Sequence, residues 1–224
     1  MTNNRKLAIK NLKGSEEKMR VSWMLENMSK NKTFKFFSKK GDTEYNKKYL
    51  NTLKERYKNY RNQWRGNAKF AIDNELIGEK FNSSNLKPLC IDIETASVCD
   101  LACPHCYRQF IATPDKIMSK DLAFKIIDQA SKLNVPSMKF NWRGEPLLNP
   151  ALPEIIDYAK KNGVLETIIN TNATKLNLEM SKKIINSGLD LMIYSFDGGS
   201  KKSYEKMRPG RFKKNNFDEI YNNI

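Results

Sequence analysis

The chain has 224 residues, with 40 Lys+Arg against 25 Asp+Glu, a formal charge of +15 and 39% hydrophobic residues. That apolar content supports a packed core and excludes wholesale disorder, and the length suits one or two domains. No stretch reaches the ~18 consecutive apolar residues of a spanning helix, and residues 1–14 are Lys-rich without the apolar run of a secretory signal, so a cytoplasmic location with no membrane contact is expected.

The charge is uneven. Residues 1–88 hold 21 Lys+Arg against 9 Asp+Glu, whereas residues 89–224 hold 19 against 16. A basic segment can meet nucleic acid or an anionic surface. However, Lys outnumbers Arg 31 to 9 and Asn reaches 25, a bias toward A-rich codons, while phosphate and base readers favour the bidentate fork of Arg. Nucleic acid is therefore the disfavoured partner.

Residues 1–43 show little periodicity and read as a poorly ordered basic extension, with a short helix over 21–28. Residues 44–85 read as an amphipathic helix and a linker. Tyr45, Tyr49, Leu53, Tyr57, Tyr60 and Trp64 recur at helical spacing, opposite a basic face. Such a stripe either packs against a domain or stacks on bases, and packing is the expected role. Gly66 is the expected helix stop, and Asn82-Ser83-Ser84-Asn85 marks a turn.

From residue 89 the pattern becomes strand–helix alternation, within a domain expected over 86–224. Strands are expected over 89–95, 137–142, 165–170 and 190–196. Helices are expected over 120–133, behind a Ser119 cap, over 149–161 with Gly163 as stop, over 177–186 with Gly188 as stop, over 201–207, and from Phe217. Alternation of this kind predicts an α/β fold, a parallel sheet or partial (β/α) TIM-like barrel, with functional residues at the carboxyl ends of the strands.

Cys99, Cys103 and Cys106 stand as C-x3-C-x2-C on the loop after the first strand. Without an export signal, clustered thiols point to metal or redox chemistry rather than disulfides. A closed zinc or iron–sulfur site takes four ligands; three thiolates leave one metal position open, as a catalytic site needs. His105 is the only histidine and is wedged between two of the cysteines, and Cys90 lies within a strand as a candidate buried thiol, so a fourth zinc ligand is not evident. An iron–sulfur site is favoured, with a structural zinc site and an accidental cluster as alternatives.

This motif, with the segments that follow, resembles the radical S-adenosylmethionine (SAM) superfamily over residues 86–224. Residues 141–148 (NWRGEPLL) are similar to the family's Gly-Gly-Glu segment, with Arg143 in place of the first glycine. Thr171 and Asn172 follow the third strand, and Ser195, Asp197 and Gly198 end the fourth. These landmarks and the 204–209 segment resemble the branch whose members carry SPASM-type extensions. The resemblance implies a [4Fe-4S] cluster on Cys99, Cys103 and Cys106, SAM on its fourth iron, reductive cleavage of SAM, and hydrogen abstraction by a 5′-deoxyadenosyl radical. It implies an electron donor such as flavodoxin or ferredoxin, and a substrate that is a peptide or sugar rather than RNA.

The resemblance also assigns roles. Gly144 would admit SAM's ammonium to nearby carbonyls, or serve turn geometry alone. Glu145 would accept a hydrogen bond from that ammonium, or be an exposed turn carboxylate. Ser195 would bond the ribose or carboxylate, or fill the core. Asp197, the candidate catalytic residue, would touch SAM or substrate, or form a turn, and Asn172 has a similar role. Arg208 would pair with SAM's carboxylate, or lie on the surface. His105 would wall the adenine, and Tyr107 would shield the cluster or pack in the core. The strands begin roughly 34 residues apart, so a six-stranded barrel would need about 60 more residues. The chain is therefore expected to be a fragment of a longer protein, with an open barrel edge at the fourth strand.

Overall fold

The computed structural model describes residues 17–76, 80 and 86–224. The chain divides into two units, Met1–Leu89 and Cys90–Ile224.

In the first unit, helix α1 covers described residues 17–27 and a single 3-10 turn follows at Met28–Lys30. Helix α2 spans Lys32–Phe37 and helix α3 spans Thr43–Asp73. Asn31 caps α2 by accepting from Thr33 N (2.9 Å), and Asp42 caps α3 by accepting from Tyr45 N (2.9 Å). Residues 17–37, where the sequence reading placed only a short helix over 21–28 within a poorly ordered extension, are mostly helical. The apolar anchors are few but well placed: Met24 and Met28 are buried. The aromatic stripe of α3 is a packing face. Leu53, Tyr57 and Tyr60 are buried, and Phe34 of α2 stacks on Tyr49 at 6.0 Å. Those buried rings are not presented to nucleic-acid bases. Gly66 does not end the helix. A glycine inside a helix costs only about 1 kcal/mol, and α3 runs on through the Lys69–Asp73 pair (2.6 Å) to its cap at Asn74. Residues 1–16 and the turn cluster at 82–85 lie outside the described residues.

The second unit is a parallel sheet of four strands, β1 Cys90–Asp92, β2 Ser137–Lys139, β3 Glu166–Thr171 and β4 Leu191–Tyr194, in the order β1-β2-β3-β4. The register pairs Cys90 with Ser137, Ser137 with Glu166, and Ile168 with Leu191. Between and after the strands lie α4 Lys120–Lys132, α5 Leu152–Lys161, α6 Leu178–Ser187, α7 Lys201–Met207 and α8 Phe217–Asn223. This is the expected α/β partial barrel. The strands are shorter than their apolar runs, although single backbone bonds continue past their ends, from Ile93 N to Lys139 O, Phe140 N to Ile168 O and Ser195 N to Thr171 O.

The helix starts follow local chemistry. Ser119, Asn177 and Ser200 accept from Leu122 N, Met180 N and Ser203 N. Gly188 ends α6 in the left-handed region at φ 88. The core combines Ile93, Met138, Phe140 and Ile169 near the sheet with Ala123, Ile127, Ile155, Ile156 and Ile184 from the helices. The Phe124 and Tyr158 rings stack at 3.9 Å between α4 and α5, and Tyr158 donates to Asp128 (2.8 Å). Toward the amino ends of the strands, Lys160 is fully buried. It donates to Asp190 (2.7 Å) and to the Leu165 carbonyl (3.0 Å), and the same Asp190 oxygen accepts from Thr167 N (2.8 Å). Among the described residues no helix is long and apolar enough to cross a membrane.

Candidate active site

The loop after β1 carries the three cysteines and is tied down on both flanks. On one side Ser97 donates to the Pro114 carbonyl (2.7 Å) and Met118 N donates to Thr95 O (3.0 Å). On the other, Ala102 N donates to Pro209 O and Arg211 N to Asp100 O, both at 2.8 Å. The cysteines are free thiols. Cys103 is buried, while Cys99, Cys106 and also Cys90 are half-buried. Among the described residues the sulfurs do not form a closed ligand group.

The loop after β3 reaches this segment through Asn172. Its side-chain nitrogen lies 2.9 Å from Asp100 Oδ1 and 3.8 Å from Cys99 Sγ. Thr174 donates to the other Asp100 oxygen (2.6 Å). From beyond β4, Arg208 places Nη1 3.9 Å from Cys103 Sγ and Nη2 2.5 Å from Asp197. His105 Nε2 lies 3.3 Å from the same Asp197 oxygen. Arg208 is therefore a buried, paired arginine, not a surface one, and its Nε is buried without a hydrogen-bond partner among the described residues. Ser195 sits at the end of β4, partly buried, its N–H bound to Thr171 O (2.8 Å). Tyr107 stands 41% exposed, outside the core.

Gly144 packs backbone against backbone. A Cβ there would lie 2.1 Å from Ala96 O and 2.5 Å from Val98 O, and its φ is not positive, so close approach rather than turn geometry demands glycine. Gly144→Ala is expected to force the two loops apart and cost about 1–3 kcal/mol. Thermal unfolding checks this, and a wild-type melting temperature would contradict it.

Glu145 is buried, not an exposed turn carboxylate. It accepts from Leu147 N (3.0 Å), Thr171 Oγ1 (2.7 Å) and Asn172 N (2.7 Å), clamping the ends of β2 and β3 together. Burial pushes its carboxyl up to about 7, against the pull of those donors. A folded pKa above the unfolded one favours the protonated form. This contribution is therefore full below about 4.5 and is lost as pH rises through about 7. The unfolding free energy of wild type minus that of Glu145→Gln should fall by about 3 kcal/mol across this window. Denaturant titrations at several pH values test it, and a flat difference would count against it.

Two strand-end features carried no assigned role in the sequence reading. Arg143 forms a two-pronged pair with Glu94, Nε to Oε1 at 2.7 Å and Nη2 to Oε2 at 2.6 Å, joining the ends of β1 and β2. The guanidinium lowers the Glu94 pKa by hydrogen bonding. Asp100, inside the cysteine motif, is the acceptor that draws in Asn172 and Thr174. An acid two residues past β1 and a base four residues past β2 signalled the first, and an acid within the motif the second.

The donor set suits an iron–sulfur cluster. Three thiols lie on one loop, and burial pushes Cys99 up to about 12 and raises Cys103. The orphaned Arg208 Nε offers a free donor beside them.

The tungsten-containing aldehyde ferredoxin oxidoreductase cofactor-modifying protein of Pyrococcus furiosus is 35% identical to this chain over 108 residues, covering 47% of this chain and 30% of that protein. The Fe-coproporphyrin III synthase of Methanosarcina barkeri is 33% identical over 110 residues, covering 45% and 25%. The chain thus spans less than a third of either relative's length. A solved structure, native anSMEcpe with bound AdoMet, aligns at a TM-score of 0.51 and 18% identity, covering 61% of this chain and 39% of that one, a likeness of fold. The profile of the radical SAM superfamily matches residues 93–224, from the end of β1 across every loop described above, and the chain belongs to that superfamily.

Proposed function

We propose that residues 93–224 form the catalytic core of a radical SAM enzyme, with a [4Fe-4S] cluster held by Cys99, Cys103 and Cys106 and SAM bound beside it. The bound pair would supply reductive cleavage of the sulfonium C–S bond and, from it, a 5′-deoxyadenosyl radical that takes a hydrogen atom from a substrate. The chain's own residues prepare the place. Arg208, fixed by Asp197, presents a cation for a carboxylate next to Cys103. Asn172 and Glu145 hold the β3 loop against the cysteine loop and the β2 end. Ser195 offers a hydroxyl at the end of β4, and Gly144 lets the β2 loop close on residues 96–98.

One observation carries this reading. At the carboxyl end of β1, the functional face of a parallel α/β fold, the C-x3-C-x2-C loop is met by Asn172 from the loop after β3 and by Arg208 from the end of α7. The electron donor, flavodoxin or ferredoxin, a peptide or sugar substrate, a SPASM-type continuation and a cytoplasmic location belong to the same proposal. Anaerobic reconstitution of the full chain should give about four irons and four sulfides per chain, and dithionite with SAM should then yield 5′-deoxyadenosine. Zinc without iron or sulfide in the anaerobically purified protein would overturn the reading in favour of a structural metal site.

A further inference from the structure

Two surface segments flank the cysteine loop on its outer side. Residues 107–113 follow directly after Cys106. Residues 209–214 are joined to the loop by the Ala102–Pro209 and Arg211–Asp100 backbone bonds and by the bridge between Leu101 and Gly210. Together they line a cavity of about 350 Å³, walled by Leu101, Phe110, Ile111, Arg108 and Arg211. None of Gly144, Glu145, Asn172, Ser195 or Asp197 lines it.

These two segments carry exposed apolar side chains interspersed with basic ones. Phe110 is 78% exposed, Phe212 67% and Ile111 53%. Such side chains in contiguous segments mark an interaction site, and aromatics with arginine are the residues that interfaces favour. Residues 107–116 and 209–214 hold five basic residues and one acidic residue. That acid, Asp115, is shared by Arg108 (2.9 Å) and Arg211 (2.8 Å), so it holds both guanidinium groups in place without cancelling them. Lys116, Lys213 and Lys214 are exposed around it. Lys214 lies 4.0 Å from Glu205, at the outer limit of an ion pair. The tight turn that presents Phe212 requires glycine, since a Cβ on Gly210 would lie 1.6 Å from Lys213 O.

We propose that this face docks an acidic one-electron carrier protein that reduces the cluster, an inference that rests on the radical SAM reading above. Charge complementarity selects an acidic partner and the exposed rings supply its desolvated anchor. The position selects a redox partner, because a protein seated on 107–113 and 209–214 lies against the segments that carry the sulfurs, outside the strand-end residues where a substrate has to reach. In the step concerned, one electron leaves the reduced carrier, which is oxidised, and enters the cluster, which is reduced; no bond forms or breaks and no proton moves.

The test uses the reconstituted full chain, its F110E/F212E and K213E/K214E variants, and a reduced flavodoxin of acidic surface as probe. With dithionite, both variants should make 5′-deoxyadenosine within about twofold of wild type. With flavodoxin, the rate per unit carrier should fall about tenfold or more, as loss of electrostatic steering and anchoring requires. Flavodoxin affinity, titrated without SAM and so without turnover, should fall in parallel, and wild-type affinity should weaken as salt rises. An equal loss with both reductants, or unchanged flavodoxin rate and affinity in both variants, overturns the proposal. So does a rise in substrate KM alone, which would make the face a substrate dock. If wild type made no 5′-deoxyadenosine even with dithionite, the cofactor reading would fail, and the flavodoxin titration would still judge the surface by itself.

Discussion

Cys103→Ala should lose SAM cleavage by a factor on the order of 100 or more while the protein still folds. The substitution leaves two thiols on the loop where the proposed cluster takes three. It removes little volume, and the neighbouring arginine keeps its partner, because Arg208 remains bound to Asp197. The loop also keeps its backbone bonds to Pro209 and Arg211, none of which involves a sulfur. Cys90→Ala is the control. Its thiol is half-buried at the start of β1 and should leave iron content and 5′-deoxyadenosine yield unchanged. Iron analysis and chromatography of the reaction products read both outcomes. Wild-type iron and product in Cys103→Ala would remove the cysteine assignment.

Lys160→Met should destabilise the second unit by about 3–5 kcal/mol. Burial pushes Lys160 down and Asp190 up, each opposed by the charge of the other. Removing the ammonium takes the countercharge from a buried carboxylate that still accepts from Thr167. The double variant K160M/D190N, which removes both charges, should recover much of the loss. The pair sits toward the amino ends of the strands, away from the cysteine loop, so the folded fraction should retain its SAM cleavage. Denaturant midpoints measure the effect, and a single variant within about 1 kcal/mol of wild type would contradict the assignment.

The elements legible in the sequence were those written in local chemistry. Ser119, Asn177, Gly188 and the start at Phe217 fall where capping rules place them, because a cap is satisfied by neighbours along the chain. The cysteine loop and the strand-end landmarks were legible for a similar reason, since each is a short contiguous segment. What escaped was set by tertiary contact. Lys160 reads as one more charge on an amphipathic helix, and only Asp190, 30 residues away, makes its burial sensible. Glu145 reads as a ligand for SAM's ammonium or an exposed turn carboxylate, and its burial under Thr171 and Asn172 is not written in its neighbours along the chain. Gly66 carries a stop signal that α3 overrides through its buried stripe and the Lys69–Asp73 pair. Arg143 was visible as a departure from the family pattern, but its partner Glu94, 49 residues earlier, was not.

The strand order in the sheet is also the order of synthesis. As the ribosome releases the chain, each new strand finds its only parallel neighbour already made, and no strand waits for a later one to be inserted between existing pairs. Sequence separation between paired strands is then limited to one crossover, the shortest that parallel pairing allows, which keeps the loop-closure cost low at every step.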